Sequence, residues 1–518
     1  MRFLKKNYGL FIVLILSFWA IKPFFISGFF PMHDDTQVAI VFEMGKMLKS
    51  GVFPVRWVPD LGYGYGYPIF NFYAPIAYYI GGIFILLGFD ALLATKLMMA
   101  LGVVSAGIFM YFLAREFFGE LGGIVSGLFY VYAPYHAVDI YVRGDVAEFY
   151  AYAFIPLIFL GFYKIFQCLR SDGYHTDNSK FKVQNAKLKF KIQKFGIIGS
   201  LGFAGIILSH NLTALMTVPF LITFCLAFII FSKKETRMLN VLHLTLYIFL
   251  GLAISAFYWI PALAEMKNTN ILSQIGGGAD FRDHFVCIEQ LWTSSWGFGG
   301  STRGCVDGMS FAIGKLHIVF VLSTMLILIY LKLKHKYLND IYYLSIFSIT
   351  GFLISIFLML DVSGFLWETI PAMAFFQYPW RFLLLASFFS SLLSGFVIWF
   401  LQLEKPGLST YFKLGLCISV VIFLLLFLNV KLFNPQTILP KTPQNYTSER
   451  SLKWVASKIS DEFLSPNFKK PKSEFEVSKK PLPFKETIVQ KVSNVVSLVG
   501  IAVLIIGIIL LKGKAKYE

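Results

Sequence analysis

Residues 90–149 read DALLATKLMMALGVVSAGIFMYFLAREFFGELGGIVSGLFYVYAPYHAVDIYVRGDVAEF. Two apolar runs, 92–113 and 119–135, flank the short charged turn AREFFGE, and the second run leads into the charged loop DIYVRGDVAE. Similar runs recur along the chain. At roughly 18–24 residues each they can cross a ~30 Å hydrocarbon layer as helices. Spanning segments must satisfy their backbone internally, and uninterrupted apolar runs do so as helices rather than as a barrel. Composition agrees. The 518 residues are 57% hydrophobic and 14% charged, with 57 Phe and 26 Tyr, and the mean hydropathy is +0.68. An ordinary soluble domain is excluded. The chain reads as an all-α polytopic membrane protein.

The net charge of +17 does not point to nucleic acid, because the lysines cluster in short segments between apolar runs. That is the positive-inside pattern. The start, MRFLKKN before YGLFIVLILSFWAI, is like a signal peptide, but no small-residue cleavage site follows in KPFFISGFFPM, so a retained anchor is expected.

Thirteen apolar segments lie near 8–28, 72–89, 92–113, 119–135, 149–167, 195–212, 214–231, 239–260, 314–333, 340–359, 379–401, 412–430 and 488–511. If MRFLKK is cytoplasmic, the basic loop 164–194 reaches the same side only when one early segment does not cross. Segment 72–89, with Pro75, Gly81-Gly82 and three tyrosines, is the weakest and is expected to be a juxtamembrane arm. About twelve crossings remain, and both termini are then cytoplasmic. The outer face receives loops 29–91, 136–148, 261–313 and 360–378 and the lysine-rich stretch 431–487. The expected division is a membrane domain over 1–430, a small outer extension over 431–487, and a last helix with a tail over 488–518.

The unusual residues gather on these outer loops. The segment PMHDDTQVAI (31–40) sets Asp34 and Asp35 before an amphipathic helix from Thr36 to Lys49 that Ser50-Gly51 ends. Such a helix suits the membrane surface. Asp34 with Gln37 makes a capping box, which accounts for one carboxylate but not for both. GYGYGYP (62–68) is either an interfacial aromatic turn or a close approach for a flat sugar or isoprenoid. In the second loop Arg143, Asp145 and Glu148 fall within six residues, as an interfacial salt bridge or as the mouth of a site. His210-Asn211 at a helix turn are either caps or ligands. FFQYPWRFL (375–383) places Gln377, Trp380 and Arg381 at a helix start, where Arg381 either snorkels or grips a phosphate. Cys287 and Cys305 share one outer loop and are expected to pair. No CxxC, HExxH or Walker pattern occurs, which leaves zinc proteolysis and nucleotide hydrolysis without support.

An acidic pair after the first helix, a juxtamembrane arm and a second acidic outer loop resemble the GT-C superfamily of membrane glycosyltransferases, as does the whole stretch 90–149. More narrowly, HDDTQV, FPVRWVPDLGYGYGYPIFNFYAP, RGDVAEF and FQYPWRFL resemble a bacterial membrane family labelled 6-pyruvoyl-tetrahydropterin synthase-related, although the chain offers no histidine zinc site of the kind that label implies. The resemblance implies inverting transfer of a sugar from a polyprenyl-phosphate donor to an extracytoplasmic acceptor (a cell-surface glycan, lipid or protein) in a bacterial plasma membrane. It implies catalysis by Asp34, Asp35, Asp145 and Glu148. Substrate contacts would come from Arg56, Trp57, Tyr63, Tyr65, Arg143, His210, Asn211, Gln377, Trp380 and Arg381. Mg²⁺ or Mn²⁺ is left open, with Asp35 and Asp145 as its ligands. Two other classes compete: a transporter or flippase of lipid-linked sugars, and a non-catalytic envelope-assembly protein. Transporters favour ionisable residues at the bilayer midplane and inverted repeats, whereas the acids here sit at helix ends and no repeat is visible.

Overall fold

A computed structural model describes residues 7–170, 186–271, 276–334, 340–403 and 408–515. The segment MRFLKK, residues 171–185 of the basic loop 164–194 and parts of the basic stretches at 332–336, 403–407 and 512–516 lie outside the described residues. Among the described residues eleven helices are long and apolar enough to cross a membrane, and the chain is a multi-pass α-helical membrane protein. Twelve crossings were expected. The longest of the eleven, Ala91–Val131, is a hairpin of two helices that meet at Gly119, and these are the expected segments 92–113 and 119–135.

Gly119 has φ 72° and ψ −174°, a conformation that side chains with a Cβ disfavour. The two arms then run antiparallel. A Cβ on Gly127 would lie 2.9 Å from the Gly107 carbonyl oxygen, and one on Gly123 would lie 3.0 Å from that of Tyr111. Small residues let the backbones approach where lipid supplies no hydrophobic drive. The turn is closed by Arg115 Nε to Glu120 Oε2 at 2.8 Å and by the Tyr111 hydroxyl donating to Glu120 Oε1 at 2.6 Å.

The described structure forms two compact units. The first comprises Met1–Ile69, Ala77–Ala153 and Lys267–Leu482. Its central helix, within Pro379–Leu401, is buried on nearly every side and packs on the hairpin, with Gly395 against Gly122 and Ser126. The amphipathic helix is observed at Gln37–Lys49, ended by Ser50 and by Gly51 at φ 77°. It does not lie free on a membrane surface. Val38, Val41 and Met44 are buried, and Gly45, Gly81 and Gly82 bring it against the helix Ile76–Leu86. At 11 residues, ~17 Å long, that helix is too short to cross. It occupies the place expected for the arm.

The second unit comprises Phe70–Ile76, Phe154–Met266 and Pro483–Glu518. Its long helices close on glycines: a Cβ on Gly161 would meet Gly199 backbone at 2.3 Å, and one on Gly500 would meet Ile254 backbone at 2.9 Å. Glu265 accepts from Asn71 (2.8 Å), Thr487 (2.5 Å) and Gln490 (2.9 Å), so the acid is satisfied within the unit.

Candidate active site

The site of interest lies in the first unit and is built on the loop that follows the hairpin. After the short helix Pro134–Val138, residues Asp139–Arg143 form a π-helical turn, and Gly144 at φ 67° ends it. Such wide turns are rare and often mark function. Here the turn brings the Arg143 guanidinium to Asp139 Oδ1 at 2.6 Å. The next helix, Val146–Arg170, starts with Glu148, whose backbone N–H donates to Asp145 Oδ1 at 3.0 Å. Arg143 therefore gathers three carboxylates, reaching Asp145 at 2.7 Å and Glu148 at 2.9 Å as well. Tyr135 donates to Glu148 Oε1 and accepts from Arg143 at 3.1 Å. All these side chains are buried.

A second cation comes from the start of the central helix. Arg381 Nε lies 3.3 Å from Glu148 Oε2, and its Nη2 lies 3.9 Å from Asp145 Oδ2. Its Nη1 donates to the Phe376 carbonyl and to Gln377 Oε1, both at 3.2 Å. Trp380 lies under the Arg143 guanidinium, 4.8 Å from ring centroid to Cζ, and donates from Nε1 to Ser301 Oγ at 3.1 Å. Ser301 is hydrogen-bonded to His284 Nδ1 at 2.7 Å, in the loop closed by the Cys287–Cys305 disulfide.

The first loop is stitched to this cluster through its backbone. His33 N–H donates to the Val142 carbonyl at 3.0 Å and Asp34 N–H to that of Arg143 at 2.9 Å. Gln37 Nε2 donates to the Gly144 carbonyl at 2.9 Å, and Gln37 Oε1 accepts from Tyr78 at 2.7 Å. Gln37 is therefore engaged elsewhere, and the helix begins after Thr36 without a side-chain cap. The capping-box account of Asp34 is not what the structure forms. Burial, then the charge of Asp145, raises the Asp34 carboxyl to about 7 against the pull of Arg143 and Arg381. Asp35 faces elsewhere: burial raises it to about 6 and Lys441 opposes the rise. The acid brought together with Asp145 is Asp34, not Asp35.

The remaining expected residues divide. Arg56 is buried, and Trp57 packs on Gly66. Tyr63 and Tyr65 engage the 431–487 stretch. Tyr63 donates to Asp461 at 3.2 Å and stacks on Phe468, while Tyr65 meets the same ring edge-on at 5.4 Å. In the second unit, His210 Nδ1 is hydrogen-bonded to Thr213 Oγ1 at 2.8 Å and Asn211 is exposed at the start of a helix. Sequence reasoning did not single out Asp139, Tyr135, Ser301, Lys441 or Glu462. The spacing of Asp139 to Arg143, one helical turn, was the available signal for the first of these.

No family model matches the chain. An uncharacterized protein of Lactococcus lactis subsp. cremoris (strain MG1363) is 24% identical over 276 residues, 51% of this chain and 41% of that protein. The crystal structure of the Archaeoglobus fulgidus oligosaccharyltransferase in the apo form superposes with a TM-score of 0.54 at 13% identity, over 94% of this chain and 62% of the other. The chain shares that fold. ArnT from Cupriavidus metallidurans, solved bound to undecaprenyl phosphate, gives a TM-score of 0.37 at 12% identity, over 76% and 77% of the two chains. The chain thus spans less than two thirds of the length of the oligosaccharyltransferase and of the Lactococcus protein.

Proposed function

We propose that the protein is an inverting glycosyltransferase that moves a sugar from a polyprenyl-phosphate donor to an acceptor hydroxyl outside a bacterial plasma membrane, with both termini cytoplasmic. The observation that carries this reading is the seating of Asp34, whose backbone N–H donates to the Arg143 carbonyl at 2.9 Å, beside the cluster in which Arg143 and Arg381 face Asp145 and Glu148. A carboxyl near 7 is matched to a base that must take a hydroxyl proton near neutral pH.

In the proposed step the acceptor oxygen bonds to the anomeric carbon as the bond from that carbon to the phosphate oxygen breaks. The electron pair leaves on the polyprenyl phosphate, and the acceptor proton passes to Asp34. Arg381, less tightly held than Arg143, supplies positive charge and planar donors to the leaving phosphate. Arg143, saturated by three acids, holds Asp145 and Glu148 in place. Asp145 and Glu148 offer the hard oxygens that Mg²⁺ or Mn²⁺ takes, and a cation held there would supply further charge for the phosphate.

The test is purified protein incubated with a panel of polyprenyl-phosphate sugars, scoring release of the lipid phosphate. Release that depends on Asp34 supports the reading. Donor that stays intact across the panel, or that is moved whole across the bilayer, rejects it.

A further inference from the structure

The stretch 431–487 carries eleven Lys and Arg against six Asp and Glu. Positive charge on the outer face runs against the usual distribution, and topology alone does not explain it. Several of its acids are already matched: Lys470 to Asp461 at 2.5 Å, Arg450 to Glu474 at 2.6 Å and Lys453 to Glu449 at 2.7 Å. Lys469, Lys472, Lys479 and Lys480 are exposed and have no acidic partner among the described residues.

The aromatic turn assembles these lysines. Phe468, just before Lys469, stacks on Tyr63 at 6.0 Å and meets Tyr65 edge-on at 5.4 Å. The backbone of Ser478 donates to the Tyr63 carbonyl at 2.9 Å and that of Leu482 to the Tyr65 carbonyl at 2.8 Å. Lys469 on one side and Lys479-Lys480 on the other therefore flank the same two tyrosines. The same stretch reaches the acids. Phe29 and Leu439 exchange backbone hydrogen bonds at 3.0 and 2.8 Å. Lys441 then faces Asp35 and opposes the rise that burial gives its carboxyl, and Glu462 adds to that of Asp34.

We infer that this surface docks an anionic, phosphate-bearing polymer as the acceptor, an assignment of role that rests on the transferase reading. The chemistry is complementary. The site is rich in carboxylates and would repel a polyanion unless the polymer's charges were held apart from it. The lysine surface does this while a hydroxyl reaches Asp34. Phosphates of a flexible polymer release counterions on meeting such lysines, so binding must weaken steeply with salt.

The experiment uses the full chain in nanodiscs of zwitterionic lipid, with an oligomer of poly(glycerol phosphate) as probe and a neutral dextran as control. Wild type should bind the oligomer and not the dextran. The four-fold variant Lys469→Glu, Lys472→Glu, Lys479→Glu, Lys480→Glu should lose roughly tenfold or more in affinity and flatten the salt dependence. The four Lys→Gln changes should give a smaller loss. Because these side chains have no acidic partners to orphan, the fold should survive, and acceptor-independent release of lipid phosphate should be unchanged. Equal binding by wild type and the Glu variant overturns the inference. So does an effect confined to nanodiscs of anionic lipid, which would make the surface a membrane contact. If binding is lost as expected but no donor is ever cleaved, the polyanion site stands and the transferase reading falls.

Discussion

The backbone N–H of Asp34 donates to the carbonyl of Arg143 at 2.9 Å, joining two loops more than a hundred residues apart. With the Gln37-to-Gly144 bond beside it, this contact fixes where the Asp34 carboxyl stands relative to the Asp139–Asp145–Glu148 cluster.

The first prediction follows from the charge state of Asp34. Its carboxyl is raised from 3.8 to about 7, so the base form fills only as pH rises through that value. Turnover at saturating donor should climb with an acid limb near 7. The linkage has the opposite sign: between 3.8 and about 7 the folded protein holds a proton that the unfolded chain has lost, so stability falls as pH rises across that window. Asp34→Asn should remove that fall, read as thermal unfolding in detergent between pH 5 and 8.

The second concerns Arg143. Arg143→Met takes from Asp139 its guanidinium partner and leaves Asp145 and Glu148 with Arg381 as the facing cation, and should cost about 3–5 kcal/mol of stability. Asp139→Asn keeps a hydrogen-bond acceptor for the guanidinium and should cost less. If Asp139 positions Arg143 and the acids, its change should lower kcat with little effect on KM. A purely structural role would lower the melting temperature and leave kcat intact.

Gly144 supplies the third. At φ 67° any other residue is strained by about 1–2 kcal/mol, and a Cβ there would fall 2.1 Å from Met32 Sδ. Gly144→Ala should push the Asp34 loop off the π-turn, lowering both melting temperature and turnover. Unchanged turnover would mean that the register between the two loops does not matter to the chemistry.

The fourth is the disulfide. Cys287→Ser with Cys305→Ser opens the loop that carries Ser301, which holds the indole of Trp380 over which Arg143 lies. Stability should drop by roughly 2–4 kcal/mol. Reductant should lower the melting temperature of wild type and have no effect on the double variant.

Much of this was legible in the sequence, because hydropathy alone dictates helices in a membrane and charged residues there are costly enough to mark a site. Asp34, Arg143, Asp145, Glu148 and Arg381 were all visible on that ground. What was hidden depends on contacts between distant segments. Spacing alone paired Asp34 with Gln37 as a capping box, whereas a loop a hundred residues away claims the Gln37 side chain. Tyr63 and Tyr65 looked free for a sugar until the 431–487 stretch packed on them. Asp139 lies one helical turn before Arg143, but nothing in the apolar stretch around it marks the π-turn that brings the two together.

The central claim is that Asp34 is the base, and one comparison tests it most directly: lipid-phosphate release by wild type, Asp34→Asn and Asp35→Asn with the same polyprenyl-phosphate sugar. The account predicts that Asp34→Asn loses roughly 10²–10⁴-fold in turnover and its acid limb near 7, with the fold intact. Asp35→Asn, which faces Lys441, should stay within a few-fold of wild type. Wild-type turnover in Asp34→Asn, or the large loss in Asp35→Asn instead, would contradict it.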